Sequence, residues 1–151
     1  MIAVTVRLYE DGDFPSVRQL EEAGVHETYR SAVFVRQMGT ICRNTFLVAD
    51  LESEPVGYTI GALVQGEPCE AWILRMGVRE DQRRTGVGTI LLTELVEVFR
   101  TQGVRTVRLT VSPWNVPAHG LYVKAGFIQE TYHEAYFGND EDRIVMRKEI
   151  G

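Results

Sequence analysis

The segment that most restricts the fold runs from residue 71 to residue 100. An apolar stretch, Ala71 to Val78, passes through Arg79-Glu80-Asp81-Gln82-Arg83-Arg84-Thr85-Gly86 into a helix that carries a second glycine, Gly88, in its first turn. The helix is read over Val87 to Arg100. Apolar residues recur at 87, 91, 95 and 98, with a second row at 92, 96 and 99, while Thr89, Thr93, Glu97 and Arg100 form a polar stripe. Gly103 is the expected stop. A strand that feeds an amphipathic helix belongs to a sheet with helices packed on its faces. The turn between them also suits an anion. The first N–H groups of a helix have no internal partner and carry the positive end of the helix dipole, so a phosphate satisfies both. Gly86 and Gly88 let it approach the backbone, and Arg79, Arg83 and Arg84 add charge beside it.

The remaining segments extend this reading. Val4 to Leu8 alternate as a half-buried strand that ends at Asp11-Gly12-Asp13. Phe14 to Ala23, stopped by Gly24, and Glu27 to Met38, stopped by Gly39, are predicted as two short helices. Thr45 to Ala49 and Val56 to Val64 flank Glu52-Ser53-Glu54-Pro55 as a hairpin, and the strand Ala71 to Val78 follows. After the long helix come a strand at Thr106 to Val111, a short helix at Asn115 to Ala125 closed by Gly126, and closing strands at Phe127 to Tyr136 and Arg143 to Arg147. The predicted order is β-αα-βββ-α-β-α-ββ. It describes a mixed α/β (α+β) central sheet of about seven strands flanked by about four helices, in a single domain spanning residues 1–151.

Composition removes several function classes. The formal charge of −5 does not supply the basic face that nucleic acid requires, so any anion is bound locally. No apolar run reaches the length of a membrane-spanning helix, and Met1 to Leu8 lack the pattern of a signal peptide, so a cytoplasmic protein is expected. Cys42 and Cys69 have neither zinc-ligand nor disulfide-framework spacing and read as reduced thiols, with no metal expected. A Walker loop fails because no lysine follows the glycines. A dinucleotide fingerprint fails because Leu91 stands where its third glycine would be.

Two motifs then carry a family resemblance. Arg83-x-x-Gly86-x-Gly88 after an apolar strand resembles the acetyl-CoA signature of the GNAT superfamily. Asn115-x-x-Ala118-x-x-Leu121-Tyr122-x-x-x-Gly126-Phe127 is similar to a stretch of ribosomal-protein alanine N-acetyltransferases and related Nα-acetyltransferases. Tyr136-Phe137-Gly138-Asn139-Asp140-Glu141-Asp142 resembles their hairpin before the last strand. The resemblance is close from Trp72 onward and extends to the first half only in element order.

The resemblance implies acetyl-CoA as co-substrate, with Met76, Gly77 and Val78 offering backbone groups to its pantetheine arm. It places the pyrophosphate on Arg83-Arg84-Thr85-Gly86-Val87-Gly88-Thr89, chiefly on the amides from Arg84 onward, and Asn115 near the thiol end. Tyr122 matches the tyrosine that gives a proton to the departing sulfur. A phenol with pKa near 10 holds its proton at neutral pH and can share it with a thiolate. The general base departs from the family pattern, because Thr110 and Trp72 occupy positions where relatives carry titrating side chains. Glu70, two residues before Trp72 on the same strand face, is the nearest acidic substitute, and it reads equally as a solvated carboxylate. A base-poor site favours acceptors that deprotonate themselves, such as a peptide α-amino terminus or another weakly basic amine. Tyr29, Phe34, Tyr136 and Phe137 are candidates for the acceptor pocket by location, and the same four read as core. The partners expected are an amine substrate, no nucleic acid and no membrane, with a homodimer left open. Two rivals stand beside the enzyme: a catalytically degenerate acetyl-CoA sensor or interaction module, and an unrelated phosphate-binding domain.

Overall fold

A computed structural model of the chain describes residues 3–22 and 28–151, the side chains of Thr28 and Tyr29 excepted. The elements are β1 (Val4–Leu8), α1 (Phe14–Glu22), α2 (Thr28–Ile41), β2 (Phe46–Leu51), β3 (Glu54–Val64) and β4 (Glu67–Val78), then α3 (Val87–Thr101), β5 (Thr106–Val111), α4 (Val116–Lys124), β6 (Ile128–His133) and β7 (Arg143–Glu149). Their order is the one predicted. The seven strands form one sheet in the order β1-β2-β3-β4-β5-β7-β6. The β4–β5 pair is parallel, and β1–β2, β2–β3, β5–β7 and β6–β7 are antiparallel. The chain divides into two compact units, Met1–Gly61 with Arg75–Leu95 and Ala62–Leu74 with Val96–Gly151, so β3, β4 and α3 each contribute to both.

In the first unit β3 is the most enclosed strand, buried without interruption from Val56 to Gly61. One face presents Val56, Tyr58 and Ile60; the other carries Gly57, Thr59 and Gly61. Gly57 is small because α3 lies against it: a Cβ there would stand 3.0 Å from Val87 Cγ1 and from Leu91 Cδ1. Of the two apolar rows read from the sequence, Val87, Leu91 and Leu95 of the first and Leu92 of the second are removed from solvent, while Val98, farther along the first row, is half-buried. Side chains of this size contribute about 1.5–3 kcal/mol each when fully buried. The hairpin between β2 and β3 closes through Glu52 and Ser53, both at positive φ, the mirror-image turn that matches strand twist. The edge strand β1 is anchored by Arg7, which donates to Asp13 at 2.7 Å and to Asp50 at 2.8 Å.

Gly39 does not stop the second helix as expected; α2 continues through it to Ile41. The glycine is there for space, since a Cβ would come within 2.6 Å of the Tyr9 ring, which stacks on Phe46 at 4.2 Å. The predicted stop at Gly24 lies outside the described residues.

In the second unit β5 alternates strictly, with Val107, Leu109 and Val111 buried and Thr106, Arg108 and Thr110 half-buried. Both helix ends close as their glycines require. Gly103 at φ 85° follows α3, with Val104 N–H donating to Phe99 O and Gly103 N–H to Arg100 O. Gly126 at φ 94° follows α4, with Phe127 N–H donating to Tyr122 O and Gly126 N–H to Val123 O. This double return satisfies the last carbonyls of each helix. The strand expected from Phe127 to Tyr136 is shorter, ending at His133, because the Asp142 carboxylate folds the chain into a loop by accepting from Ala135 N–H at 2.8 Å and Tyr132 Oη at 2.6 Å. Among the described residues no helix is long and apolar enough to cross a membrane.

Candidate active site

The residues from Met76 to Thr89 lie in the first unit. A turn of 3-10 helix, Glu80–Gln82, leaves β4, and the chain then passes through Arg84 at φ 63° and Gly86 at φ 97° before α3 begins at Val87. These left-handed residues fold the turn back over the helix start. Ile90 N–H is the first intrahelical donor, reaching Gly86 O at 3.0 Å, so the N–H groups of Val87, Gly88 and Thr89 precede the ladder and are free to meet an anion. A Cβ at Gly86 would meet nothing within 4 Å, so glycine is favoured there by its torsion, φ 97°, and not by crowding. This donor set fits a pyrophosphate.

The cations beside the turn are not equivalent. Arg79 does not serve as the available charge expected of it. Its guanidinium is held by Asp81 at 2.6 and 3.1 Å and by Glu54 at 3.3 Å, and the same contact keeps the Asp81 carboxyl below its usual range. Arg83 donates to Val78 O at 3.3 Å, tying the turn to the end of β4, and Arg84 is exposed. Thr85 hydroxyl donates back to Gln82 O and stiffens the same turn.

Met76, Gly77 and Val78 are half-buried at the end of β4. The β4–β5 ladder covers Glu70–Ile73 against Thr106–Leu109 and ends there, although β4 itself runs on to Val78.

Glu70, Asn115, Tyr122 and Tyr136 lie in the second unit. Glu70 is in an ion pair: Arg108 Nη1 donates to its carboxylate at 2.6 Å, while Arg108 Nε donates to Glu130 at 2.9 Å. Glu130 reaches this position from an irregularity in β6 between Gln129 and Thr131. Thr110 and Trp72 are both half-buried.

Asn115 caps α4, its amide oxygen accepting from Ala118 N–H at 3.3 Å, with Pro117 in the first turn where its missing N–H costs nothing. Tyr122 stands on α4 with its ring edge-on to the buried Phe127 at 6.0 Å, and burial pushes its phenol above the ordinary value. The proton therefore stays on this oxygen throughout the neutral range.

Tyr136 and Phe137 are not core. They are 45% and 61% exposed on the β6–β7 loop, in a row with His133, whose ring lies 4.9 Å from Tyr136, as does that of Phe137. Phe34 is half-buried beneath the Arg75 guanidinium at 4.9 Å. The Tyr29 side chain lies outside the described residues.

The sequence reading passed over one polar cluster, Glu21, Tyr58 and Arg75. Its signal was present: Glu21 falls four residues after Val17 on the buried stripe of α1, where an apolar residue would ordinarily stand.

Residues 9–127 match the Acetyltransferase (GNAT) family. The chain is 28% identical to the [Ribosomal protein bS18]-alanine N-acetyltransferase of Salmonella typhimurium, covering 94% of this chain and 95% of that one. It is also 28% identical to an N-alpha-acetyltransferase of Sulfolobus acidocaldarius, covering 93% and 89%. Its fold is similar to the crystal structure of Ard1 from Thermoplasma volcanium, with a TM-score of 0.90 and 27% identity over 99% of both chains. With that match over most of its length and the fold, the chain belongs to the GNAT family and is an acetyl-CoA-dependent N-acetyltransferase that acts on amino groups.

Proposed function

We propose that the acceptor is a weakly basic amine, preferentially the α-amino terminus of a peptide, and that Tyr122 gives the departing thiolate its proton. The observation that supports this most is the state of the candidate bases. Thr110 and Trp72 do not titrate near neutrality, and one oxygen of Glu70 is taken by Arg108 at 2.6 Å. An α-amine with pKa near 8 costs only about 1.4 kcal/mol to deprotonate at pH 7, whereas a lysine near 10.4 costs about 4.6 kcal/mol. With no strong base, the substrate's own acidity sets the reactive fraction, and this alone favours the α-amine by up to roughly 250-fold.

Acetyl-CoA supplies the activated acyl group as a thioester. In this reading the amides of Arg84 to Thr89 bind its pyrophosphate, and Met76, Gly77 and Val78 orient its pantetheine arm. Asn115 lies near the thiol end, and Tyr122 protonates the leaving sulfur. Glu70, through the oxygen that Arg108 does not hold, is the rival reading: as base it would replace self-deprotonation of the amine. Tyr136 is the proposed contact to the acceptor. The test is acetylation at pH 7 of free-N-terminal peptides, Nα-blocked lysine peptides and small amines, read by released thiol. Faster turnover of the lysine peptides overturns the acceptor assignment. No thiol release with any acceptor, despite cofactor binding, returns the chain to an acetyl-CoA-binding module.

A further inference from the structure

A carboxylate buried on a helix face is costly unless its oxygens are paired. Glu21, at 5% exposure on α1, is paired twice, and both partners lie on strands beneath it. One oxygen accepts from the hydroxyl of Tyr58 on β3, itself 2% exposed, and the other accepts from Arg75 Nε on β4 at 3.2 Å. Hydrophobic residues of similar size would hold α1 to the sheet at no desolvation cost, so the ionic arrangement points to a need for direction rather than adhesion.

The direction is visible along β4. The Tyr58 ring covers Gly77 so closely that a Cβ at that position would stand 2.4 Å from Tyr58 Cε1. The neighbouring residue, Thr59, donates its hydroxyl to Arg75 O at 3.0 Å, and Arg79 N–H donates to Val56 O at 2.7 Å. Arg75 is held on its other side by lying over Phe34 of α2. Residues 75 to 79 are therefore fixed from the β3 side at their side chains and their backbone. The burial of Tyr58 and the adjacent Glu21 charge raise its phenol far above the ordinary value, so it remains a donor at any pH the enzyme meets.

We infer that Glu21 and Tyr58 are positioning residues for acetyl-CoA: with the exposed Arg75 they form a clamp that sets the register of the Arg75–Val78 stretch of β4, and so the hydrogen bonds this stretch gives to the pantetheine arm. The inference rests on the proposal that Met76 to Val78 hold that arm. Backbone hydrogen bonds to a ligand weaken steeply with small displacements, so loosening one clamp residue weakens the arm without touching the pyrophosphate turn.

The test compares two ligands by calorimetry: acetyl-CoA, and the 3′-phosphorylated ADP portion of the cofactor, which lacks the pantetheine arm. Wild type should bind acetyl-CoA the more tightly; equal affinities would refute the assignment of β4 to the arm and the clamp with it. In Glu21→Ala, acetyl-CoA affinity should fall about tenfold, the scale of one lost hydrogen bond, while the nucleotide stays within about twofold of wild type. Glu21→Gln keeps an acceptor for Tyr58 and should recover most of the loss. Tyr58→Phe, which keeps the ring over Gly77, should repeat the selective loss and serves where the alanine variant does not fold. An equal fall for both ligands shows general loosening and overturns the clamp, as does unchanged acetyl-CoA affinity in the folded variants.

Discussion

Replacing Gly77 with alanine sets the first atom of a side chain where the Tyr58 ring already stands. The Cβ would lie 2.4 Å from Cε1 and 3.2 Å from both Cδ1 and Cζ. Carbon atoms prefer about 3.5–4.0 Å, so the ring has to retreat by about 1 Å. It has little freedom to do so. The residue is 2% exposed, Phe46 lies on it at 6.3 Å between centroids, and its hydroxyl is bound to Glu21. Gly77 is not among the glycines at positive φ, so the penalty is spatial rather than torsional. Overpacking of this kind costs about 1–3 kcal/mol. Drawing the hydroxyl away from a buried carboxylate adds about 1.5–3 kcal/mol. The expected loss of about 2.5–6 kcal/mol is a large part of the 5–15 kcal/mol typical of a folded domain. Urea unfolding of Gly77→Ala measures it directly. The same substitution made in a Tyr58→Ala background should cost less by at least about 1 kcal/mol, because the ring that it meets is gone. A change within about 0.5 kcal/mol in the wild-type background, or the same cost in both backgrounds, would show that the contact between Tyr58 and Gly77 is not as tight as described.

Gly86→Glu should abolish most acetyl-CoA binding, since it combines strain at φ 97° with a negative charge above the helix N-terminus, whereas Gly86→Ala should show the torsional part alone; equal affinities by calorimetry would remove the turn from the cofactor site. Tyr122→Phe should lower turnover by about 10²- to 10⁴-fold with little change in cofactor affinity, and turnover within about threefold of wild type would reduce the residue to packing. Because burial raises the Tyr122 phenol, the stability contributed by its protonated form is intact below about pH 10 and is lost as pH rises through the folded-state value. Tyr122→Phe should therefore lose less stability than wild type between neutral pH and strong alkali, as read by denaturant midpoints. The pH profile of kcat/KM should climb toward the pKa of each amine tested; a plateau near 6 or 7 that disappears in Glu70→Gln would make Glu70 the base.

Much of the fold, and the backbone of the candidate turn, was legible because it depends on local chain geometry. The glycines at 86, 103 and 126 stand at positive φ, a torsional demand that operates within a few residues and so leaves a mark in the sequence. The α3 row was legible for the same reason, since burial on one face of a regular element repeats with its period. Gly39 and Gly57 are the contrasting cases. Each is glycine because another element comes close, Tyr9 to the first and α3 to the second, and nothing local distinguishes them from a helix stop or a weak strand residue. The end of β6 was misplaced because it is decided by a carboxylate nine residues farther on, at Asp142.

The sequence by itself determined the order of elements, the glycine-bearing turn that opens α3 and the identity of the proton-donor candidate, because periodicity, torsion and residue type are properties of neighbouring residues. Only the tertiary structure decided which charges are already spent. It put Arg79 on Asp81 and Glu54, set Glu70 against Arg108, and gave the buried Glu21 both a tyrosine and an arginine. The partners of these charges come from strands and helices as far as 54 residues away along the chain. A side chain's charge is written in the sequence, but its availability depends on distances that exist only once the chain has folded.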